Sequence, residues 1–183
     1  QQTHLTELEN DVVTEEEIEL SPDSIAQEPV VEDPFDKKST SMRGIIALII
    51  DDFGYRNDHI SNGFLELPGK LTYAIIPGHD HSQLFSKKAY DAGYEIIVHL
   101  PMENIGKTYG EEEYVLMSYF QEDEIKERIN KAFENLPESI GLNNHQGSRG
   151  TADLRIMTLL AKEIKQNKKF FVDSRTTRNS LAE

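Results

Sequence analysis

The stretch ALIIDDFGYR, residues 47–56, runs four apolar residues into two adjacent carboxylates. Burying even one unpaired carboxylate in an apolar core is prohibitive unless it is paired, protonated or metal-bound. Asp51 and Asp52 therefore mark the end of a buried strand, and they raise the question of what requires charge there. Upstream, GIIALII (44–50) is short, β-branched and continuously apolar, the pattern of a strand buried on both faces.

Downstream the pattern repeats. A polar segment containing Phe64, Leu65 and Leu67 reads as helical, and LTYAIIP (71–77) as a second strand ended by Pro-Gly. In SQLFSKKAYDA (82–92), Leu84, Phe85, Ala89 and Ala92 recur at helical spacing, with Gly93 where a helix-terminating glycine belongs. YEIIVHL (94–100) is a third strand. After a long irregular loop, EDEIKERINKAFENLP carries Ile125, Ile129, Ala132, Phe133 and Leu136 on one face, acidic residues in its first turn and Pro137 as its stop. SIGLNN (139–144) is a fourth strand, 152–166 an amphipathic helix through Leu154, Met157, Leu160, Ala161 and Ile164, and KKFFVD (168–173) a fifth strand. Strands alternating with helices at this spacing predict right-handed βαβ units and a parallel sheet, an α/β fold.

Ligand sites in such sheets gather at the carboxyl ends of the strands. Asp51 and Asp52 end the first strand, and His79 and His81 follow the second. His99 ends the third with Glu103 just beyond. Asn143, Asn144, His145, Ser148 and Arg149 follow the fourth, and Asp173, Ser174 and Arg175 the fifth. Each cluster alone has a bland reading, Asp51 and Asp52 as a helix cap or His99 as a satisfied histidine. Their joint occurrence on one rim favours an imidazole and oxygen site for Zn²⁺ or another borderline divalent ion, with an open position for water. HDH (79–81) reads equally well as a loop cap, SRTTR (174–178) as an anion contact or a partner for neighbouring acids, and the EEE at 111–113 as a solvated loop without chemistry.

Composition limits the alternatives. Of the chain's 183 residues, 1–42 hold 12 Asp/Glu against 2 Lys, ten of the 14 net negative charges. With Pro22, Pro29 and Pro34 and no sustained apolar period, this stretch reads as a disordered acidic tail or linker. The folded domain is expected over 43–183. Neither half has a net basic surface, which argues against a nucleic-acid partner, and no apolar run approaches the length of a transmembrane helix. The lack of cysteine excludes disulfides and thiolate metal sites.

The segments IIDDFGY (49–55), AIIPGHDH (74–81), AGYEIIVHLPME (92–103), GLNNHQGSR (141–149) and FFVDSRTT (170–177), in this order, resemble the divergent polysaccharide deacetylases, a branch of the NodB-type carbohydrate deacetylase superfamily. The resemblance covers about 44–182. It implies a distorted (β/α) barrel and a metal-dependent hydrolase that removes N-acetyl or similar acyl groups from a polysaccharide or oligosaccharide. Position by position it implies Asp51 as general base, Asp52 and His99 as metal ligands, and a divalent metal such as Zn²⁺. Where the superfamily has a second histidine ligand, this chain has Glu103. His145 is the preferred third ligand, with His81 and Glu103 as alternatives, and Asn144, Arg149, Asp173 and Arg175 are candidate substrate contacts.

The superfamily's late Leu-x-His segment, which supplies the general acid, has no counterpart. A barrel of this type needs about 200 residues, so an incomplete barrel is expected, its C-terminal part missing or supplied by a partner. Substrates of this superfamily imply an extracytoplasmic protein, secreted or of the cell envelope. Two further readings compete: a catalytically silent glycan-binding or envelope protein, favoured by Glu103, and a metal-dependent phosphoesterase, disfavoured by the lack of a Gly-rich phosphate loop.

Overall fold

The structure is a computed structural model that describes residues 44–108 and 110–182; the acidic tail inferred at 1–42 lies outside the described residues. Five strands alternate with helices in chain order: β1 (Ile49–Phe53), α1 (His59–Gly63), β2 (Thr72–Ile75), α2 (Ser82–Asp91), β3 (Glu95–Met102), α3 (Glu122–Asn135), β4 (Gly141–Gln146), α4 (Leu154–Gln166) and β5 (Phe171–Val172). Short 3₁₀ turns follow α1 and precede α4. All neighbours pair in parallel and the spatial order is β1-β2-β3-β4-β5. A sequential parallel sheet is the arrangement of a (β/α) barrel taken over part of its circumference. No helix among the described residues is long and apolar enough to cross a membrane.

Strand alternation separates two faces. Tyr73 and Ile75 of β2, Ile96, Val98, Leu100 and Met102 of β3, and Leu142 of β4 join one apolar core with Phe85 and Ala89 of α2, Ile125, Ile129 and Phe133 of α3, and Ile156, Leu159 and Leu160 of α4. The intervening residues, Ile97 and His99 on β3 and Asn143 and His145 on β4, point to the other side. In register, His99 pairs with Asn143 and Pro101 with His145.

Two packing expectations fail at the edges. Strand β1 begins only at Ile49, and Ile45 and Ile46 are 88% and 86% exposed, so GIIALII is not a doubly buried strand. It lies on the edge of the sheet, where one flank has no strand to pair with among the described residues. Leu84, Ala92, Leu154 and Ala161 are likewise exposed, because α2 and α4 bury a narrower stripe than their apolar periodicity suggests. Helix α4 instead buries Ile156, Met157, Leu159, Leu160 and Glu163, the last held by the Asn130 amide at 3.0 Å.

Candidate metal centre

The two aspartates share a face because β1 contains a bulge. Ile50 pairs with Tyr73 and Phe53 with Ile75, so Asp51 and Asp52 together stand opposite Ala74 alone. The extra residue lets Ile50 and Phe53, three apart, both pack on the helix-side core while the carboxylates between them turn to the other face. Asp52 adopts φ +68°, a left-handed conformation uncommon for a residue with a side chain. Bulges of this kind re-aim side chains next to functional sites. The next residue, Gly54, has φ +122° and passes close to the start of α2; a Cβ there would lie 2.6 Å from Ser82 Oγ and 3.0 Å from the Ile76 carbonyl oxygen.

Asp52 Oδ1 lies 3.2 Å from His99 Nε2 and 3.1 Å from His145 Nδ1, and one ligand atom from each residue falls within 4.8 Å of the others. The histidine rings meet edge to face at 4.9 Å. Asp51 turns to a different partner: its Oδ1 accepts from Asn143 Nδ2 at 2.9 Å. Asn143 Oδ1 in turn lies 2.7 Å from His99 Nδ1.

His99 is 4% exposed. Burial holds its imidazole pKa below the usual histidine value, with the His145 charge acting in the same sense; the Asp51 charge, the Asn143 hydrogen bond and the Asp52 charge oppose this and do not prevail. The His99–Asp52 spacing is that of an ion pair, yet the imidazole favours its neutral form. A neutral imidazole that donates from Nδ1 to Asn143 presents a lone pair at Nε2, directed at carboxylate lone pairs. That juxtaposition is repulsive by itself and becomes attractive around a cation. Two imidazole nitrogens and one carboxylate oxygen are also the donor set that suits Zn²⁺ with a position left open. His145 Nε2 lies 3.1 Å from Gln146 Nε2, and Gln146 Oε1 accepts from Asn104 Nδ2 at 2.6 Å. Ligation through His145 Nδ1 requires these amides to turn, so that Gln146 Oε1 accepts from Nε2–H.

The other rim residues take different places. Glu103 does not join the group: it is 8% exposed, accepts the Ser118 backbone N–H at 2.6 Å and lies 3.6 Å from Arg149 Nε. His81 is at the start of α2, where its backbone N–H donates to the Gly54 carbonyl. Asn144 is 1% exposed; it accepts from Ser174 N at 2.9 Å and donates to the Gln146 carbonyl at 2.8 Å, which makes it a brace for the loop after β5. Asp173 caps that loop by accepting from Arg175 N at 2.8 Å, and its Oδ2 is buried with no hydrogen-bond partner among the described residues. Arg149 and Arg175 are exposed on the rim.

Two features escaped the sequence reading. Asn143, on the rim but without an assigned role in the sequence, has a partner on either side; period-two alternation from His145 is the signal for its direction. Glu111 is not part of a solvated loop: its side chain is 5% exposed, accepts from Tyr55 Oη at 3.0 Å and lies 3.1 Å from His79 Nε2. Partial burial, followed by the Glu111 hydrogen bond and charge and the Asp52 charge, raises the half-exposed Tyr55 phenol to about 12. The loop folds back over the ends of β1 and β2, a long-range contact that local polarity does not reveal.

A parallel sheet with acid and imidazole groups at its carboxyl rim defines a class of α/β proteins with a candidate metal site at the strand ends. Within that class the chain belongs to the divergent polysaccharide deacetylase family, whose model matches residues 48–183. It is 35% identical over 144 residues to the uncharacterized protein YibQ of Escherichia coli K12, covering 79% of this chain and 44% of that protein. It is 33% identical over 141 residues to an uncharacterized protein of Haemophilus influenzae, covering 75% of this chain and 48% of that protein. The chain thus spans less than half the length of the curated relatives it matches. The crystal structure of the uncharacterized protein ATU2773 from Agrobacterium tumefaciens C58 superposes with a TM-score of 0.68 at 19% identity, over 74% of this chain and 56% of that one, a likeness of fold.

Proposed function

We propose that this domain carries the metal centre of a hydrolase that removes N-acetyl or similar acyl groups from an extracytoplasmic polysaccharide. The observation that carries the proposal is the convergence of Asp52, His99 and His145 from three successive strands, with a further carboxylate, Asp51, beside them and engaged elsewhere. Asp52, His99 and His145 would hold the ion. A divalent ion bound there supplies Lewis acidity, acidifying water and polarising an amide carbonyl. Asp51, steered by Asn143, takes the proton of the attacking water as general base. A pocket lined by Ile50, Asp51, Asp52, Tyr55, Arg56 and Ile60 opens beside the carboxylates. There a sugar ring would lie against Tyr55, and the exposed Arg149 and Arg175, which follow β4 and β5, would meet polar groups of neighbouring sugars.

The test is metal content and acetate release from N-acetylated glycans, measured on the full-length protein and on its Asp51→Asn and His99→Ala variants. Stoichiometric metal in the wild-type protein and in Asp51→Asn, metal lost from His99→Ala, and acetate release strongly reduced in both variants is the expected result. A protein that binds no metal and releases no acetate, yet retains glycan binding, would establish the silent glycan-binding reading instead. Release of phosphate from phosphoesters, without acetate release, would establish the phosphoesterase reading.

A further inference from the structure

We propose that Asn143 is a positioning residue whose side-chain amide, oriented by Asp51, fixes the Nδ1–H tautomer of His99 and so keeps His99 Nε2 available as a ligand. An ionised Asp51 carboxylate only accepts, so the Asn143 atom 2.9 Å from Asp51 Oδ1 must be the amide nitrogen. A second contact, 3.2 Å from Asn143 Nδ2 to Ser174 Oγ, is compatible with that orientation because a hydroxyl can accept. The remaining Asn143 atom, Oδ1, then faces His99 Nδ1 at 2.7 Å. An amide oxygen only accepts, so Nδ1 must carry the hydrogen.

Neutral imidazole has one N–H and one lone pair. With the hydrogen on Nδ1, the lone pair is on Nε2, the atom 3.2 Å from Asp52. The chain Asp51, Asn143, His99 therefore connects the carboxylate read as a base to a nitrogen read as a ligand. Asn143 is 3% exposed, so water does not compete for its amide. The inference rests on the metal-centre reading for its purpose, while its central claim concerns a proton position that can be read without metal.

The experiment is side-chain nitrogen NMR of isotope-labelled histidine in the metal-free protein at mildly alkaline pH, followed by Zn²⁺ affinity from chelator competition. Wild-type His99 is expected as the Nδ1–H tautomer. Asn143→Leu, of similar size but without hydrogen bonding, is expected to release His99 to a mixture of tautomers and to weaken Zn²⁺ binding about 10–100-fold. Asn143→Asp, which retains an acceptor for Nδ1–H, should keep the tautomer. A structural role alone would not produce that split between the two variants. A wild-type His99 protonated on Nε2, or an Asn143→Leu protein with unchanged tautomer and Zn²⁺ affinity, overturns the proposal. If Asn143→Leu fails to fold, the wild-type and Asn143→Asp tautomers decide. If the tautomers behave as expected and no variant binds Zn²⁺, the metal reading fails and the positioning role stands.

Discussion

Asp51 and Asp52 are adjacent in the chain and emerge on the same face of the sheet, yet they reach different partners: Asp51 the Asn143 amide at 2.9 Å, and Asp52 the rings of His99 and His145 at 3.2 and 3.1 Å. Without the bulge in β1, strict alternation would send one of them into the helix-side core, where it has no partner. The separation of partners predicts a separation of phenotypes. Asp52→Ala should weaken metal binding by at least about 100-fold, by analogy with the losses that even supporting residues cause. Asp51→Asn, which still accepts from Asn143, should hold metal within about tenfold of wild type and lower kcat about 10²–10⁴-fold, the range of general base catalysis. Metal stoichiometry beside acetate-release kinetics checks both, and equal loss of metal in the two variants would contradict the division of roles.

Burial sets the pH behaviour of His99. Its pKa is lower in the folded state than the ordinary value of about 6.5 that it has when unfolded. Between those two values the unfolded chain binds the proton and the folded one does not, so stability there rises with pH. The contribution is fully present above about pH 6.5 and is lost as pH falls through the folded pKa. Ring-proton shifts of the metal-free protein should show His99 titrating below its unfolded value. In His99→Gln, urea unfolding should lose the part of its acid sensitivity that lies in this window.

Much of the fold can be read from the chain, because the inner strands β2, β3 and β4 are largely buried and the crossover helices carry an apolar period, clearest in α3 through Ile125, Ile129, Ala132 and Phe133. The rim rule also placed Asp52, His99 and His145 at one end of the sheet. What the sequence does not disclose is direction and pairing. GIIALII has the composition of a central strand but lies at an edge, and composition is blind to the number of neighbours. Glu103 and Asn144 resemble site residues in type and position, yet their side chains turn to Ser118 and Ser174. Glu111 meets Tyr55 across 56 residues of chain, a closure that no local pattern encodes.

That closure has its own titration signature. The half-exposed Tyr55 phenol is raised to about 12 by partial burial and by the Glu111 carboxylate. Its folded pKa exceeds its unfolded value of about 10, so its stability contribution is full below about pH 10 and disappears as pH rises through 12. Ultraviolet titration should reveal a late-ionising tyrosine. Glu111→Gln should move that ionisation toward 10, and an unchanged titration would separate Tyr55 from Glu111.

Gly54 predicts a folding phenotype. It combines φ +122° with a site where a Cβ would lie 2.6 Å from Ser82 Oγ, and that hydroxyl donates to the Ile76 carbonyl at 2.6 Å. Gly54→Ala must either distort the backbone or displace Ser82 from the first turn of α2. A residue held in such a region costs of order 1–3 kcal/mol. Urea unfolding should show a loss of at least that size, with no change in slope. Ser82→Ala, which removes the nearest clashing atom, should recover part of the loss when combined with Gly54→Ala.

Glu103 separates bracing from ligation. It stands where the wider superfamily has a histidine ligand, but its carboxylate accepts the Ser118 N–H and faces Arg149, while its backbone carbonyl accepts from the N–H groups of Arg149 and Gly150 at 2.9 Å. These contacts tie the end of β3 to the loop after β4 that follows His145. Glu103→Gln keeps an acceptor for Ser118 and removes the charge facing Arg149. Zn²⁺ affinity should therefore stay within about twofold of wild type. Stability should fall by no more than about 1 kcal/mol, the range of an ion pair whose arginine is exposed. Glu103→Ala leaves the Ser118 N–H without its partner and should cost more, about 1–3 kcal/mol. Chelator competition and urea unfolding on the two variants give the answer: a Zn²⁺ affinity that drops about 100-fold in Glu103→Gln would make Glu103 a ligand and require the Asp52, His99 and His145 centre to open toward it.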